Sequence, residues 1–213
     1  MQDFAGRNVV VTGGSGALGS ALVGLLQAAG ATVHVPRGVD LSSEDAAVAW
    51  FDGVAAPLWA SIHVAGGFAM GKLVLSSAAD FRAQLELNAV TCFLSCREAA
   101  RRMSGAGGGR IVNVVARPAL LPHLGAGMSA YTASKAAVAA LTQALAAELA
   151  DDGILVNAVV PSTMDTPANR QAMPDADFAR WPKTEEVART IAFLASAENT
   201  LTSGALVPVY GRA

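Results

Sequence analysis

The sequence has little charge of either sign and no long hydrophobic run. Its 213 residues include 15 lysines and arginines against 17 acidic residues, without a basic cluster. This near balance argues against a nucleic-acid or anionic-membrane partner. No apolar run approaches membrane-spanning length, and the N-terminus lacks a charged region followed by a long apolar stretch. We therefore expect a cytoplasmic protein with no nucleic-acid and no membrane partner.

Cysteine and histidine are also scarce, which removes the usual sequence signs of a disulfide framework or a metal site. Cys92 and Cys96 are the only cysteines, four residues apart in a predicted helix. Two buried thiols in a reducing compartment are the simplest interpretation. The histidines, His34, His63 and His123, are scattered and show no metal-ligand spacing. The sequence therefore predicts no metal site.

Apolar residues make up 53% of the chain, enough to bury one substantial core, so residues 1–213 are expected to form a single domain. Short apolar strands alternate with helical patterns, which predicts a parallel sheet covered on both faces. The expected strands are 7–12, 32–35, 61–64, 110–115, 154–160 and 205–209. The expected helices are 17–29, 43–51, 79–103, 133–150 and 184–196. The fold class is therefore α/β, a doubly wound Rossmann-type parallel sheet.

A glycine-rich loop joins the first strand to the first helix. Gly14, Gly16 and Gly19 have the spacing G-x-G-x-x-G in that context. Glycine permits the tight turn, the approach of a pyrophosphate to the backbone and close helix–strand contact. The helix N-terminus adds free N–H groups and a positive dipole. The pattern predicts a dinucleotide site, with the contacts Thr12, Gly13, Gly14, Ser15, Gly16, Ala17, Leu18 and Gly19.

Arg37 and Asp40, after the second strand, are the candidates for recognising the adenosine ribose. An NAD site usually has an acidic residue about 20 residues after the glycines, whereas here the strand ends at Pro36 and Arg37. Arg37 could accept a 2′-phosphate, although a solvated surface arginine fits equally well. Asp40 could be a displaced ribose ligand or an adenine contact. The expected cofactor is thus NADP or NAD, with a slight preference for NADP.

Tyr131 and Lys135 are spaced to share one face of a helix. A nearby ammonium favours the phenolate, so we expect the pKa of Tyr131 to be lowered toward a value useful for proton transfer. A packed tyrosine and a solvent lysine on an ordinary helix would show the same spacing. The nucleotide-binding pattern at the other end of the chain favours the catalytic interpretation.

Other candidate site residues follow strand ends, where ligands of open parallel sheets bind. These are Ala65, Gly66 and Gly67; Ala116 and Arg117; and Pro161 and Thr163. The two glycines would let the backbone approach the nucleotide, or form a simple turn. The segment 161–183 carries methionines, Phe178 and Trp181, and is expected to be a substrate-side lid or else a packed loop. Within it, Asn169 and Arg170 could contact cofactor phosphate or substrate.

With these motifs placed, the chain resembles the short-chain dehydrogenase/reductase superfamily over nearly its whole length. Thr12-Gly13-x-x-x-Ala17-x-Gly19 is similar to its cofactor loop, and Val64-Ala65-Gly66 stands where the family has Asn-Ala-Gly. The resemblance implies an NAD(P)-dependent oxidoreductase with Tyr131 as proton donor and Lys135 on the nicotinamide ribose. Asn88 would help to hold a water-linked proton path to Lys135. Family members commonly assemble as homodimers or homotetramers, and we expect the same here.

One subfamily, dihydropteridine reductase, resembles the chain more closely. Residues 165–178 are similar to its segment D-T-P-x-N-R-x-x-M-P-x-A-D-F, as are Gly16-Ala17-Leu18-Gly19 and Ser203-Gly204 to its other motifs. The expected reaction is hydride transfer from NAD(P)H to an electrophilic C=N or C=O substrate, such as a quinonoid dihydropterin. One alternative is a generic reductase of the superfamily that acts on a carbonyl or 3-oxoacyl substrate. Another is an NAD(P)-binding sensor or scaffold with little chemistry.

Three departures from the superfamily pattern affect this prediction. The catalytic serine should fall near Ala116, which has no hydroxyl; dihydropteridine reductases also lack that serine. The passage from Val35 to Asp40 is too short for the usual helix and third strand, so a shortened region should follow the second strand. Phe68 stands where the pteridine enzyme has tryptophan. The expected substrate contacts are Phe68, Ala116, Arg117, Asn169 and Trp181.

Overall fold

A six-stranded parallel sheet forms the centre of the protein, of which the computed structural model describes residues 3–212. The strands are β1 Asn8–Thr12, β2 Thr32–His34, β3 Leu58–His63, β4 Gly109–Val114, β5 Ile154–Pro161 and β6 Leu206–Val209. Their order in the sheet is β2-β1-β3-β4-β5-β6. Each neighbouring pair is parallel, so all strands end at one edge of the sheet. This confirms the predicted doubly wound α/β class.

Helices cover both faces of the sheet. They are α1 Ala17–Ala28, α2 Glu44–Asp52, α3 Ala78–Leu85, α4 Thr91–Met103, α5 Arg117–Leu120, α6 Ser129–Glu148, α7 Pro167–Ala172 and α8 Thr184–Ala195. Short 3-10 helices lie at Leu73–Leu75, Pro122–Gly125 and Phe178–Arg180. The sequence analysis missed α5, α7 and these 3-10 helices, because elements this short carry no full period of apolar residues. In residues 3–212, no helix is long and apolar enough to cross a membrane.

The valines of β1 show why the sheet is buried on both faces. Side chains alternate between the faces of a strand. Val9 and Val11 pack in the core beneath α1 and α8, whereas Val10 packs in the core beneath α4 and α6. A half-exposed strand would have polar residues at every second position, so the uninterrupted apolar run indicated burial on both sides.

The chain between β2 and α2 is as short as the sequence predicted. After β2 it runs directly to α2, with Ser43 as N-cap, and then to β3 on the other side of β1. β2 is consequently the edge strand of the sheet. The chain order reverses between β1 and β3, which is where open α/β sheets bind their ligands.

The predicted helix over 79–103 is not regular. A π-helical turn, Glu86–Val90, separates α3 from α4. The wider turn rotates α4 relative to α3 about the helix axis. Phe81 and Cys92, which regular helical spacing would put on one buried face, therefore face different directions. Phe81 is 44% exposed, whereas Cys92 is buried. Such π turns occur frequently at functional sites, and this one contains Asn88.

Candidate active site

The loop after β1 presents backbone N–H groups at the start of α1. The N-cap residue is Gly16, which has no side chain to bond the first-turn amides, and the first turn contains no acidic residue. The first-turn amides therefore keep their hydrogen-bonding capacity and the positive end of the helix dipole. Ser15 and Ala17 are exposed, whereas the Leu18 side chain is buried and only its backbone can face a ligand. This arrangement fits a bound phosphate.

Two glycines of this loop are required by close backbone approach. Gly13 has φ +68°, and a Cβ there would lie 2.6 Å from the Ala65 nitrogen; a Cβ on Gly19 would collide with the Gly13 carbonyl oxygen. The Ala65 N–H donates to Thr12 Oγ1 at 3.2 Å. The loops after β1 and β3 thus meet at the point where the strand order reverses, and the residues there leave a cradle that side chains would fill.

Gly66 lies between two of the predicted catalytic side chains. A Cβ at this position would be 2.6 Å from Asn88 Oδ1 and 3.3 Å from Lys135 Nζ. The Asn88 carboxamide binds both backbone polar groups of Gly67: Oδ1 accepts from Gly67 N at 3.1 Å, and Nδ2 donates to Gly67 O at 3.0 Å. Nδ2 also donates to Gln84 O at 3.1 Å. The structure therefore brings the π turn, the loop after β3 and Lys135 together.

Lys135 is a buried cation. Its side chain is 6% exposed, and Nζ donates to the Val114 carbonyl oxygen at 2.8 Å. Burial lowers the pKa of Lys135 to about 8. The sequence analysis missed Val114 as a partner because a backbone carbonyl leaves no signal in the residue types.

Tyr131 lies one turn before Lys135 on α6, as predicted, but its acidity differs from the prediction. Burial raises the pKa of Tyr131 to about 12, whereas the sequence suggested a lowered value. The desolvation of the phenol outweighs any pull from Lys135, whose ammonium is bonded to Val114. The ring of Phe68 stands edge-on to that of Tyr131, with centroids 5.0 Å apart. Tyr131 is therefore a protonated phenol at neutral pH, placed beside a predicted substrate contact.

The residues after β4 contribute an apolar wall and a stacked arginine. Ala116 is buried and is the N-cap of α5. The Arg117 guanidinium lies over the Tyr210 ring, 4.8 Å from its centroid. Tyr210 also accepts from Ser162 Oγ through its carbonyl at 2.8 Å, which links the ends of β5 and β6. Arg117 is thus held by an aromatic ring.

Much of the polar capacity in the segment 161–183 is used within the segment itself. Asn169 Nδ2 donates to Met164 O at 2.8 Å, and Arg170 makes a bidentate pair with Asp165 at 2.6 and 2.8 Å. Trp181 packs against Phe178, with ring centroids 5.0 Å apart. Pro161 is buried at the end of β5, and Thr163 is half-buried just beyond it.

The same segment borders an open cleft of about 670 Å³ together with the chain near Gly211. Tyr131 and the glycine loop are not among its lining residues. A smaller cleft of about 220 Å³ lies nearer Tyr131, between Met70, Gln84 and Met128. Ala130, beside Tyr131, forms part of the lining of the smaller cleft.

The adenine side of the cofactor site is sparsely built. Arg37 is exposed just beyond β2. Asp40 Oδ1 accepts from Ser42 N at 3.0 Å and from Ser42 Oγ at 2.6 Å, and these hydrogen bonds lower the pKa of Asp40. The Asp40 carboxylate thus stabilises its own turn. Of the two predicted ribose contacts, Arg37 is therefore the better placed to bind a cofactor.

The sequence analysis did not predict one grouping of residues. His63 is not isolated from the cysteines, because its Nδ1 lies 3.3 Å from Cys96 Sγ. Residues on β3 and α4 are distant in the sequence, and only the packing of the helix on the sheet brings them together. The sequence contained no periodic signal from which this contact could be predicted.

The chain is similar to known oxidoreductases over nearly its whole length. A family model described as enoyl-(acyl carrier protein) reductase matches residues 3–211. The chain is 34% identical to a cis-4-hydroxycyclohexanecarboxylate dehydrogenase of Sinomonas cyclohexanicum, over 244 aligned positions that cover 98% of this chain and 96% of the relative. Neither of these is described as a dihydropteridine reductase.

Solved structures agree with the fold. A short-chain type dehydrogenase/reductase from Mycobacterium ulcerans has a TM-score of 0.92 at 25% identity, and the match covers 99% of this chain and 90% of that one. A structure described as ElxO with NADP bound has a TM-score of 0.89 at 21% identity, covering 99% and 98% of the two chains, which is a likeness of fold alone.

Proposed function

Because the chain belongs to the short-chain dehydrogenase/reductase superfamily and is an NAD(P)-dependent oxidoreductase, we propose that it reduces an electrophilic C=N or C=O carbon with Tyr131 as proton donor. The observation that carries this proposal is the meeting of Asn88 Oδ1 and Lys135 Nζ at Gly66. It joins the helix of Tyr131 to the loop that borders the nucleotide cradle. A phenol whose pKa is about 12 is a proton donor at neutral pH, which suits reduction.

The residues of the cradle suit a dinucleotide. The first-turn amides of α1 would bind the pyrophosphate, the loop 65–67 and the end of β5 at Pro161 and Thr163 would border the nicotinamide half, and Lys135 would bind the ribose. When bound, the cofactor supplies the hydride. Exposed Arg37 supports a preference for NADP over NAD, because it could pair with a 2′-phosphate.

The substrate that we propose is a quinonoid dihydropterin. Ala116 offers no hydroxyl to polarise a carbonyl oxygen, and a quinonoid dihydropterin is electrophilic enough to react without that donor. Phe68, Arg117 and Trp181 supply the aromatic and planar surfaces that a flat heterocycle contacts. The segment 161–183, with Asn169, would cover the substrate, and a compartment such as the cytoplasm would keep the thiols reduced.

Steady-state oxidation of NADPH and NADH with three substrates tests this assignment. We expect quinonoid dihydropterin to be turned over with a kcat about 10²-fold higher than acetoacetyl thioesters or simple ketones, since a missing oxyanion donor costs about that factor. NADPH should be the better reductant. Equal or faster turnover of the acetoacetyl thioester would contradict the pterin assignment.

Two other functions have specific observations in their favour. Reduction of a carbonyl or 3-oxoacyl substrate is supported by the matched family model, whose description names an acyl carrier protein. A sensor or scaffold with little chemistry is supported by Ala116 and by the shortened chain after β2. In the same assay, preference for the thioester would indicate the first, and tight NAD(P)H binding without turnover of any substrate would indicate the second.

We further propose that the chain forms a homodimer or homotetramer through α3, α4 and α6. Phe81, Leu87 and Phe93 lie along the segment from α3 to α4 and are each 44% exposed. Large apolar side chains exposed along one segment are typical of a surface that another subunit covers. Light scattering at micromolar concentration should give the mass of two or four chains. A mass of one chain would contradict this assembly.

A further inference from the structure

A group of metal-ligating side chains meets in the core between β3 and α4. His63 ends β3, and Cys92 and Cys96 lie one turn apart on α4. All three are buried, with exposed fractions of 3%, 4% and 1%. Their ligand atoms lie within 4.8 Å of one another. The proposed catalytic role of Tyr131 and Lys135 makes no use of this group.

The separations match the edges of a tetrahedral zinc site. Zinc bonds of about 2.3 Å to sulfur and about 2.0–2.1 Å to nitrogen imply ligand separations of about 3.8 Å for S–S and about 3.6 Å for S–N. The observed separations are 4.0 Å between the two Sγ atoms and 3.3 Å from Cys96 Sγ to His63 Nδ1. For these two pairs, side-chain shifts of a few tenths of an ångström would suffice; the third pair, Cys92 Sγ and the His63 ring nitrogen, lies within 4.8 Å and needs a larger shift, on the order of 1 Å.

A fourth ligand and an outer shell are also present. Asn113 Oδ1 lies 2.8 Å from His63 Nδ1 and 3.5 Å from Cys96 Sγ, so a small movement would bring it onto a shared ion. Asn113 Nδ2 donates to Thr142 Oγ1 at 3.0 Å, which orients the amide. On the far side of the imidazole, Ser61 Oγ is 2.8 Å from Nε2. A ligating histidine normally donates its other N–H to such a partner.

We propose that His63, Cys92, Cys96 and Asn113 Oδ1 bind one Zn²⁺ ion. Binding replaces two S–H bonds by two Zn–S bonds and releases two protons, with no change of oxidation state. Two sulfurs, one imidazole and one amide oxygen favour Zn²⁺ over Mg²⁺ or Ca²⁺, which prefer sites made of oxygen ligands. Four protein ligands leave no open position, so the ion ties α4 to β3 as a structural site.

The position of the group in the fold supports the assignment. His63 directly precedes the loop 64–67, and Asn113 directly precedes Val114, whose carbonyl accepts from Lys135. The ion would thus brace the strand ends on which the cofactor loop and Lys135 depend.

Metal analysis of the untagged chain tests the proposal. Because the ligands are buried, the protein is examined both as purified under reducing conditions and after refolding with Zn²⁺, followed by dialysis. We expect one zinc per chain, and a thiolate-to-metal charge-transfer band when Cd²⁺ replaces Zn²⁺. Zinc at about 100 times its Kd should raise Tm by about 5–10 °C.

Matched variants separate this site from adventitious binding. Cys92→Ser and Cys96→Ser should each lose the bound zinc, whereas His123→Asn, which removes an exposed histidine, should retain it. If the serine variants do not fold, the cadmium band of the wild-type protein still reports thiolate ligation. The proposal is overturned by the absence of bound zinc and of the cadmium band in both preparations. Zinc retained by Cys92→Ser, or a Cys92–Cys96 disulfide in metal-free protein, would overturn it as well.

Discussion

Replacing Tyr131 by phenylalanine is expected to lower kcat by about 10²–10⁴-fold, the usual contribution of a general acid. The phenol is the proposed proton donor, and Ala116 has no hydroxyl that could take over its role. The ring of Phe68 packs edge-on against that of Tyr131, and a phenylalanine ring can keep that contact. The loss should therefore fall on kcat, with the Kd for NAD(P)H nearly unchanged. Steady-state kinetics and cofactor titration measure the two quantities.

Tyr210→Phe is the matched control for this variant, because Tyr210 is the other of the two tyrosines in the chain. It retains the aromatic ring that stacks with Arg117 and the backbone carbonyl that binds Ser162. Its kcat should stay within about threefold of the wild-type value, since no proton transfer is assigned to it. Unchanged turnover in Tyr131→Phe would remove Tyr131 from the mechanism.

The fold could be predicted because its signals are local and repeated. Uninterrupted apolar runs such as Val9 to Val11 indicated buried parallel strands, and the glycine spacing after β1 indicated a nucleotide turn. The shortened chain after β2 was predicted by comparing the passage from Val35 to Asp40 with the usual superfamily pattern, and β2 is indeed followed directly by α2.

The details of the site could not be predicted because they depend on contacts between distant segments. The raised pKa of Tyr131 follows from burial, which residue spacing does not report. The hydrogen bond from Lys135 to Val114 needs the position of a backbone carbonyl. The π turn around Asn88 could be predicted only by knowing that its helix packs against the loop after β3, where Asn88 binds Gly67. In each case the motif singled out the residue as a candidate, and its chemical state is set by the tertiary structure.

Burial lowers the pKa of Lys135, and the same burial should reduce the free energy of unfolding of the wild-type protein. Lys135→Met removes a cation whose pKa is lowered from 10.5 to about 8. That shift corresponds to a penalty of about 3 kcal/mol for keeping the charged form in the folded protein at neutral pH. The lost hydrogen bond to Val114 offsets part of the gain, by about 1–2 kcal/mol. We expect the variant to be more stable by about 1–2 kcal/mol at pH 7, and to lose both cofactor affinity and about 10²-fold or more in kcat.

The pH dependence distinguishes this cause from a general packing effect. The folded-state pKa of Lys135 lies below the unfolded value, so the unfolded chain binds more protons between pH 8 and 10.5, and wild-type stability gains over that range. The penalty is fully present below pH 8, and the stability advantage of Lys135→Met should shrink as the pH rises toward 10.5. Denaturant unfolding of both proteins measures the difference, with Lys72→Met, at an exposed lysine, as a control that shows neither the gain nor its pH dependence. A difference that stays constant from pH 7 to 10 would mean that Lys135 is not held as a strained cation, and the electrostatic basis of its proposed role would fail with it.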